Sequence, residues 1–140
     1  MIAVADMATT HAATFPHARG WSASEFTDLL AQKHCFACGD ARCFALVRVI
    51  ADEAELLTIA THPDHQRQGL ARAVMAQWLA KAGAQGATHA FLEVAADNPA
   101  ALALYRACGF QKSGHRARYY ARKGSDPVDA VMMMRDLSLR

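Results

Sequence analysis

The sequence predicts a mixed α/β fold, one mixed sheet with helices on both faces. Three observations predict it. Leu56–Ala82 reads as a buried strand, a short polar turn and an amphipathic helix: the apolar run Leu56, Leu57 and Ile59 is followed by Leu70, Val74, Trp78 and Leu79 at helical spacing. Two helix starts carry capping signals, Ser22 with Glu25 three residues on, and Asn98 followed by Pro99. The apolar segments run in the order strands, helix, strand, helix, terminal hairpin. A sheet packed between helices buries all of their stripes.

In chain order, Met1–Val4 reads as a short first strand and the alanine-rich Asp6–Phe15 as a helix, with Pro16 and Gly20 as punctuation. The helix capped by Ser22 buries Phe26, Leu29 and Leu30 and fades near Gln32. Cys35–Cys38 and Cys43–Ile50 are two strands of a hairpin, with Gly39–Arg42 as the turn. After a turn at Asp52 and Glu53, Glu55–Thr61 is the next strand. The following helix ends around Ala82 and Gly83, with Gly86 just beyond. Ala90–Val94 is a strand, and the helix from Pro99 buries Ala101, Leu104, Tyr105 and Cys108 before Gly109 closes it. Phe110–Ala121, a turn over Lys123–Pro127, and a last strand Val128–Arg135 complete the chain.

The 140 residues fit one domain, 1–140, with 53% hydrophobic residues to supply its core. A formal charge of +2 is too small to draw nucleic acid by bulk attraction. No apolar run approaches the ~20 residues that cross a bilayer. The N-terminus lacks the basic and long apolar regions of a secretory signal, so the expected location is the cytoplasm. Of the four cysteines, Cys35 and Cys38 have a metal-like spacing. A second Cys or His pair at matching spacing is missing, although His34 and Cys43 lie near. The run reads better as a strand in which cysteines act as small hydrophobes, so no metal is expected. A zinc or redox module stands as the alternative.

The turn before the long helix carries the chemistry. The first amide N–H groups of a helix have no intrahelical partner, and the helix dipole adds partial positive charge there. Gly69 lets a ligand approach the backbone, Ala71 is small, and Arg67 and Arg72 add full charge. Together they form a seat for a diphosphate. The loop has neither the Gly-Lys-Ser/Thr of a Walker A loop nor the three-glycine spacing of a dinucleotide fingerprint.

Gln66-x-x-Gly69-x-Ala71 after a strand resembles the acetyl-CoA loop of the GNAT N-acetyltransferases, Q/R-x-x-G-x-G/A. Ala103-Leu104-Tyr105 through Gly109-Phe110 resembles that family's A-L-Y-x-x-x-G-F. The resemblance covers most of the chain and implies the GNAT fold: a central mixed sheet whose two parallel central strands, here Glu55–Thr61 and Ala90–Val94, splay at one end. It implies acetyl-CoA as cosubstrate, with its diphosphate on Arg67, Gln68, Gly69, Leu70, Ala71 and Arg72. Its pantetheine arm would pair with Ile59, Ala60 and Thr61, and Asn98 is matched to a position that bonds the cofactor. A plain helix cap is an equal and compatible role for Asn98.

Two side chains are catalytic candidates. Glu93 interrupts the apolar Phe91-Leu92-Glu93-Val94. Alternation alone makes it an outward-facing residue; the resemblance makes it the base for an incoming ammonium. Tyr105 lies on an apolar helical stripe, as a core aromatic does; the resemblance makes it the acid for the departing thiolate.

Within the family, Pro63-Asp64-x-Gln66-Arg67-Gln68-Gly69-Leu70, Leu92-Glu93-Val94, Asn98 and Tyr119-Tyr120 are similar to the bacterial ribosomal-protein-alanine N-acetyltransferases. That similarity implies transfer to the N-terminal alanine of a ribosomal small-subunit protein, by a monomer or weak dimer, with no nucleic-acid or membrane partner. Phe15-Pro16 and Trp21-Ser22 match that subfamily's Phe-Pro-Trp-Ser stretch, split here by His17–Gly20 where the peptide groove begins. Thr61 stands where an apolar residue is usual. Tyr119 and Tyr120 are candidates for the acceptor groove or for cross-strand packing. The alternatives are a small-molecule amine, another protein N-terminus or lysine, or a coenzyme-binding module without turnover.

Overall fold

The computed structural model describes residues 2–15 and 20–138. Among them the chain forms four α-helices and six strands: α1 (Val4–Thr14), α2 (Ala23–Leu30), β1 (Cys35–Asp40), β2 (Cys43–Ile50), β3 (Glu53–Thr61), α3 (Leu70–Ala84), β4 (His89–Ala95), α4 (Pro99–Ala107), β5 (Gln111–Arg122) and β6 (Ser125–Asp136). The sheet order is β1-β2-β3-β4-β6-β5, antiparallel except for the parallel pair β3–β4.

Helices cover both faces. Along β2, Cys43, Ala45, Val47 and Val49 pack with Val74, Met75, Trp78 and Leu79 of α3 and with Tyr105 and Phe110. Phe44 and Leu46 alternate to the other face, against Met7 of α1 and Phe26 of α2. Trp78 is fully buried and its indole N–H donates to Met75 Sδ at 3.1 Å. The capping box of α2 is formed: Glu25 N–H donates to Ser22 Oγ, and Ser22 N–H donates to Glu25 Oε1, both at 3.1 Å.

Several boundaries differ from the sequence reading. Val4 opens α1 rather than closing a strand, and Ile2 and Ala3 are not in one; Met1 lies outside the described residues. The alternation over so few residues did not outweigh burial of Met7 on a helix. Helix α3 runs through Gly83 to Ala84, and Gly86, at φ +97°, ends it. The turn expected over Lys123–Pro127 is tighter: Arg122 pairs with Ser125 around Gly124 at φ +73°, and Pro127 lies inside β6. Pro127 sits before the stretch that pairs with β4, where a missing N–H interrupts no central ladder. Pro16 and His17–Arg19, most of the expected insertion, lie outside the described residues.

One irregularity positions everything that follows. The β2–β3 register steps from Leu46↔Thr58 to Val47↔Leu56, leaving Leu57 as an extra residue in β3. Such a bulge bends the strand that carries it. The β3–β4 pairing covers Glu53↔His89, Ala54↔Ala90 and Glu55↔Phe91 and then stops. Beyond that point β3 keeps β2, and β4 keeps β6, as a partner on one side only.

Candidate functional site

Where β3 and β4 part, a cleft of about 760 Å³ opens through the sheet. Its walls include Leu56–Ile59 and Thr61 of β3, Glu93–Ala95 of β4, the start of α3, and Leu104 and Tyr105 of α4. The inner edges of both strands have backbone N–H and C=O groups without a strand partner. Buried backbone polar groups require partners. An extended molecule with amides along its length satisfies such an edge by strand addition.

The start of α3 lies at one mouth of the cleft. Gly69 is its N-cap at φ +76°, with no side chain capping the helix and no acid in the first turn. The first intrahelical bond is Ala73 N–H to Gly69 C=O at 3.1 Å, which leaves the preceding amides for another acceptor. A side chain at Gly69 would meet no atom within 4 Å, so protein packing does not exclude one. The left-handed backbone and access to the amides are what call for glycine. Arg67 is also left-handed, at φ +63°, which for a non-glycine residue marks a constrained turn. Of the predicted loop residues, Arg67, Gly69, Leu70, Ala71 and Arg72 line the cleft and Gln68 does not.

On β3, Ile59 and Thr61 line the cleft. The Ala60 side chain turns into the core beneath α1, so only its backbone can serve a ligand. Thr61 has a structural use in place of an apolar contact. Its hydroxyl donates to Cys43 Sγ at 3.3 Å, and its carbonyl accepts from Thr14 Oγ1 at 2.9 Å, tying the end of α1 to β3. Asn98 caps α4, its Oδ1 accepting from Ala101 N–H at 3.1 Å, and it also borders the cleft. The structural role assigned to it is therefore formed.

Glu93 and Tyr105 reach the same cleft from different elements. On β4, Ala90, Leu92 and Val94 are buried on the α3 face, so alternation turns Glu93 to the α1 face. It is not a solvated residue: its side chain is 25% exposed. Oε1 meets Arg116 Nη2 at 3.2 Å, while Oε2 is buried with no hydrogen-bond partner. Tyr105 is buried against Phe110, edge to face at 6.3 Å. Burial pushes its phenol well above the ordinary tyrosine value, so it stays protonated and can donate. Tyr120 also lines the cleft, and burial, then the Glu93 charge, raises its phenol. Tyr119 is exposed, packed edge to face on Tyr120 at 5.1 Å.

Sequence reasoning set Phe15 and Trp21 beside the start of a peptide groove but did not place His11 and Thr14 at the site. His11, Thr14, Phe15 and Trp21 line the cleft on the Glu93 side. His11 is 5% exposed, stacks on Trp21 at 5.0 Å and accepts from Trp21 N–H through Nδ1 at 3.2 Å. A buried histidine in an alanine-rich helix was the available signal. The Cys35-x-x-Cys38 alternative meets a geometric obstacle. Cys35 pairs with Arg48 and Cys38 with Ala45, residues on opposite faces of β2, so the two thiols point apart. Burial raises all four thiols above the ordinary cysteine value, which disfavours the nucleophilic thiolate. No described helix is long and apolar enough to cross a membrane.

Comparison with known proteins agrees with this geometry. A model of the acetyltransferase (GNAT) family matches residues 6–110. A curated relative from Escherichia coli K12, [Ribosomal protein bS18]-alanine N-acetyltransferase, is 35% identical over 127 residues, covering 88% of this chain and 85% of its own. The crystal structure of the ribosomal-protein-S18-alanine N-acetyltransferase from Escherichia coli superposes with a TM-score of 0.86 at 31% identity, over 98% of this chain and 89% of that one. The N-alpha-acetyltransferase RimI of Mycobacterium tuberculosis is 43% identical over 86 residues, 60% of this chain and 49% of its own length. The match to the family model spans the parted strands, the uncapped start of α3 and Tyr105, and the chain belongs to the GNAT family of acetyltransferases.

Proposed function

We propose that this acetyltransferase moves an acetyl group from acetyl-CoA to the N-terminal α-amine of a ribosomal small-subunit protein that begins with alanine. The observation that carries the reading is the parting of β3 and β4 between an uncapped helix start and a partly buried carboxylate. The relatives that match over most of the chain are named for that reaction, which supports the same acceptor.

The residues present fit the cosubstrate. Amides of Gly69–Arg72, with Arg67 and Arg72, hold the diphosphate. The free edge of β3 from Ile59 to Thr61 pairs with the pantetheine amides, and an N–H of that edge polarises the thioester carbonyl. Asn98 borders the same path. Acetyl-CoA supplies the activated acetyl group.

Glu93 prepares the nucleophile. An α-ammonium has a pKa near ~8, against ~10.4 for lysine, so it gives up its proton more readily. Glu93 takes that proton, directly or through one water. The C–N bond then forms as the C–S bond breaks, and Tyr105 donates its O–H proton to the departing sulfur. No cysteine acts as nucleophile. The chain acts alone or as a weak dimer.

The test is transfer from acetyl-CoA to a peptide carrying the bS18 N-terminus, read by mass spectrometry beside a small-amine panel. Acetylation confined to the peptide α-amine is expected. Turnover only on small amines, or on the same peptide with a blocked N-terminus, would replace this acceptor. Coenzyme binding without thiol release on any amine would replace the enzyme reading.

A further inference from the structure

We propose that Arg116 is a positioning residue for the transfer: its ion pair with Oε1 fixes the Glu93 carboxylate in the wall of the cleft that receives the amine. The inference rests on Glu93 being the base. Glu93 and Arg116 do not sit on neighbouring strands, because β6 runs between β4 and β5. Glu93 pairs with Met132 and Arg116 with Ala130, so the ion pair crosses β6 on the diagonal. Ala130, and Ala95 paired with it, carry only methyl groups, which leaves the long arginine room to cross. On its outer side the guanidinium lies over the Tyr119 ring, 5.1 Å from the centroid. Arg116 is thus held from two directions although half exposed.

As a stability device such a pair contributes little, because a half-exposed ion pair is largely screened. What it fixes is the orientation of the carboxylate. Oε1 has its donor; Oε2 is buried without one. The arginine also offsets the carboxylate charge, so the substrate ammonium is held by one directed hydrogen bond rather than trapped in an ion pair. Loss of Arg116 therefore weakens alignment and strengthens ground-state attraction at once.

That opposition gives a signature in the kinetics. In Arg116→Ala, kcat falls roughly 10- to 100-fold, the cost of a misplaced reacting group. KM for the peptide stays level or drops, and KM for acetyl-CoA is unchanged. Arg116→Lys, which restores a charge but not the planar fork, recovers part of the loss. Arg116→Gln keeps part of the aliphatic stem without the guanidinium and behaves like the alanine variant, guarding against a folding artefact that thermal melting would also reveal. In a Glu93→Gln background, adding Arg116→Ala changes kcat by less than about twofold, as expected for residues acting as one unit. Wild-type kcat in Arg116→Ala, or an unchanged kcat with a raised peptide KM, overturns the proposal. A wild-type rate in Glu93→Gln alone overturns the assignment of the base instead, and is read separately.

Discussion

Two helices begin at the cleft, and they begin differently. Helix α4 completes its own start: Asn98 accepts from Ala101 N–H, and Pro99 removes a donor that would otherwise need a partner. Helix α3 does the reverse. Its N-cap is a left-handed glycine, no side chain caps it, and cations stand where a first turn favours acids. A helix optimised for its own stability begins as α4 does. The start of α3 forgoes that stabilisation and leaves its first amides without a side-chain acceptor. α3 thus brings positive potential to the site, while α4 brings a neutral proton donor, Tyr105.

The largest expected effect comes from reversing the first start. Arg72→Glu places a carboxylate in the first turn of α3, at an exposed position. The helix gains about 0.3–1 kcal/mol from its own dipole. Acetyl-CoA binding weakens roughly 10- to 100-fold, or about 1.4–2.7 kcal/mol. A thermal melt and a calorimetric titration on the same sample check both signs. A variant that is more stable and still binds the coenzyme normally would break the comparison.

Asn98→Ala strips the cap from the second start. Stability falls by about 1 kcal/mol, within the range for lost caps. Coenzyme affinity falls by a smaller factor than in Arg72→Glu, because α4 does not hold the diphosphate. Urea unfolding together with the KM for acetyl-CoA separates the two roles still assigned to Asn98. A large rise in KM with unchanged stability would make it a ligand contact first and a cap second.

These starts were legible in the sequence because capping is local: Asn98-Pro99 and Ser22 with Glu25 each declare a helix within a few residues. The absence of a capping side chain before Leu70 was equally readable, and with Arg67 and Arg72 it is what proposes a phosphate seat there. What the sequence left open is non-local. Whether Glu93 faces solvent or a cleft depends on β3 bending away after the Leu57 bulge, which pattern alone does not show. Arg116 lies 23 positions further along the chain from Glu93 and meets it only because β6 folds between their strands. The end of α1, with His11 beside Trp21, enters the site by packing. Over Met1–Val4 and Lys123–Pro127, short stretches with weak alternation or a single proline gave the wrong boundary, since tertiary burial outweighs propensity at that length.

The smallest effect concerns the proton that α4 contributes. Burial raises the Tyr105 phenol above the ordinary tyrosine value near ~10. Between the ordinary and the raised value, the folded protein keeps a proton that the unfolded chain has released. The stability owed to this group is therefore complete below about pH 10 and falls as pH rises beyond it. At about pH 10.5 the loss is about 0.8 kcal/mol. Tyr105→Phe removes that share of the alkaline decline in the urea midpoint. Tyr120, half-buried and also raised, keeps a smaller share in place. An alkaline decline identical in wild type and Tyr105→Phe would mean that the phenol ionises in the fold as readily as in the unfolded chain. Tyr105 would then be solvated rather than enclosed, and α4 would contribute no protected donor to the cleft.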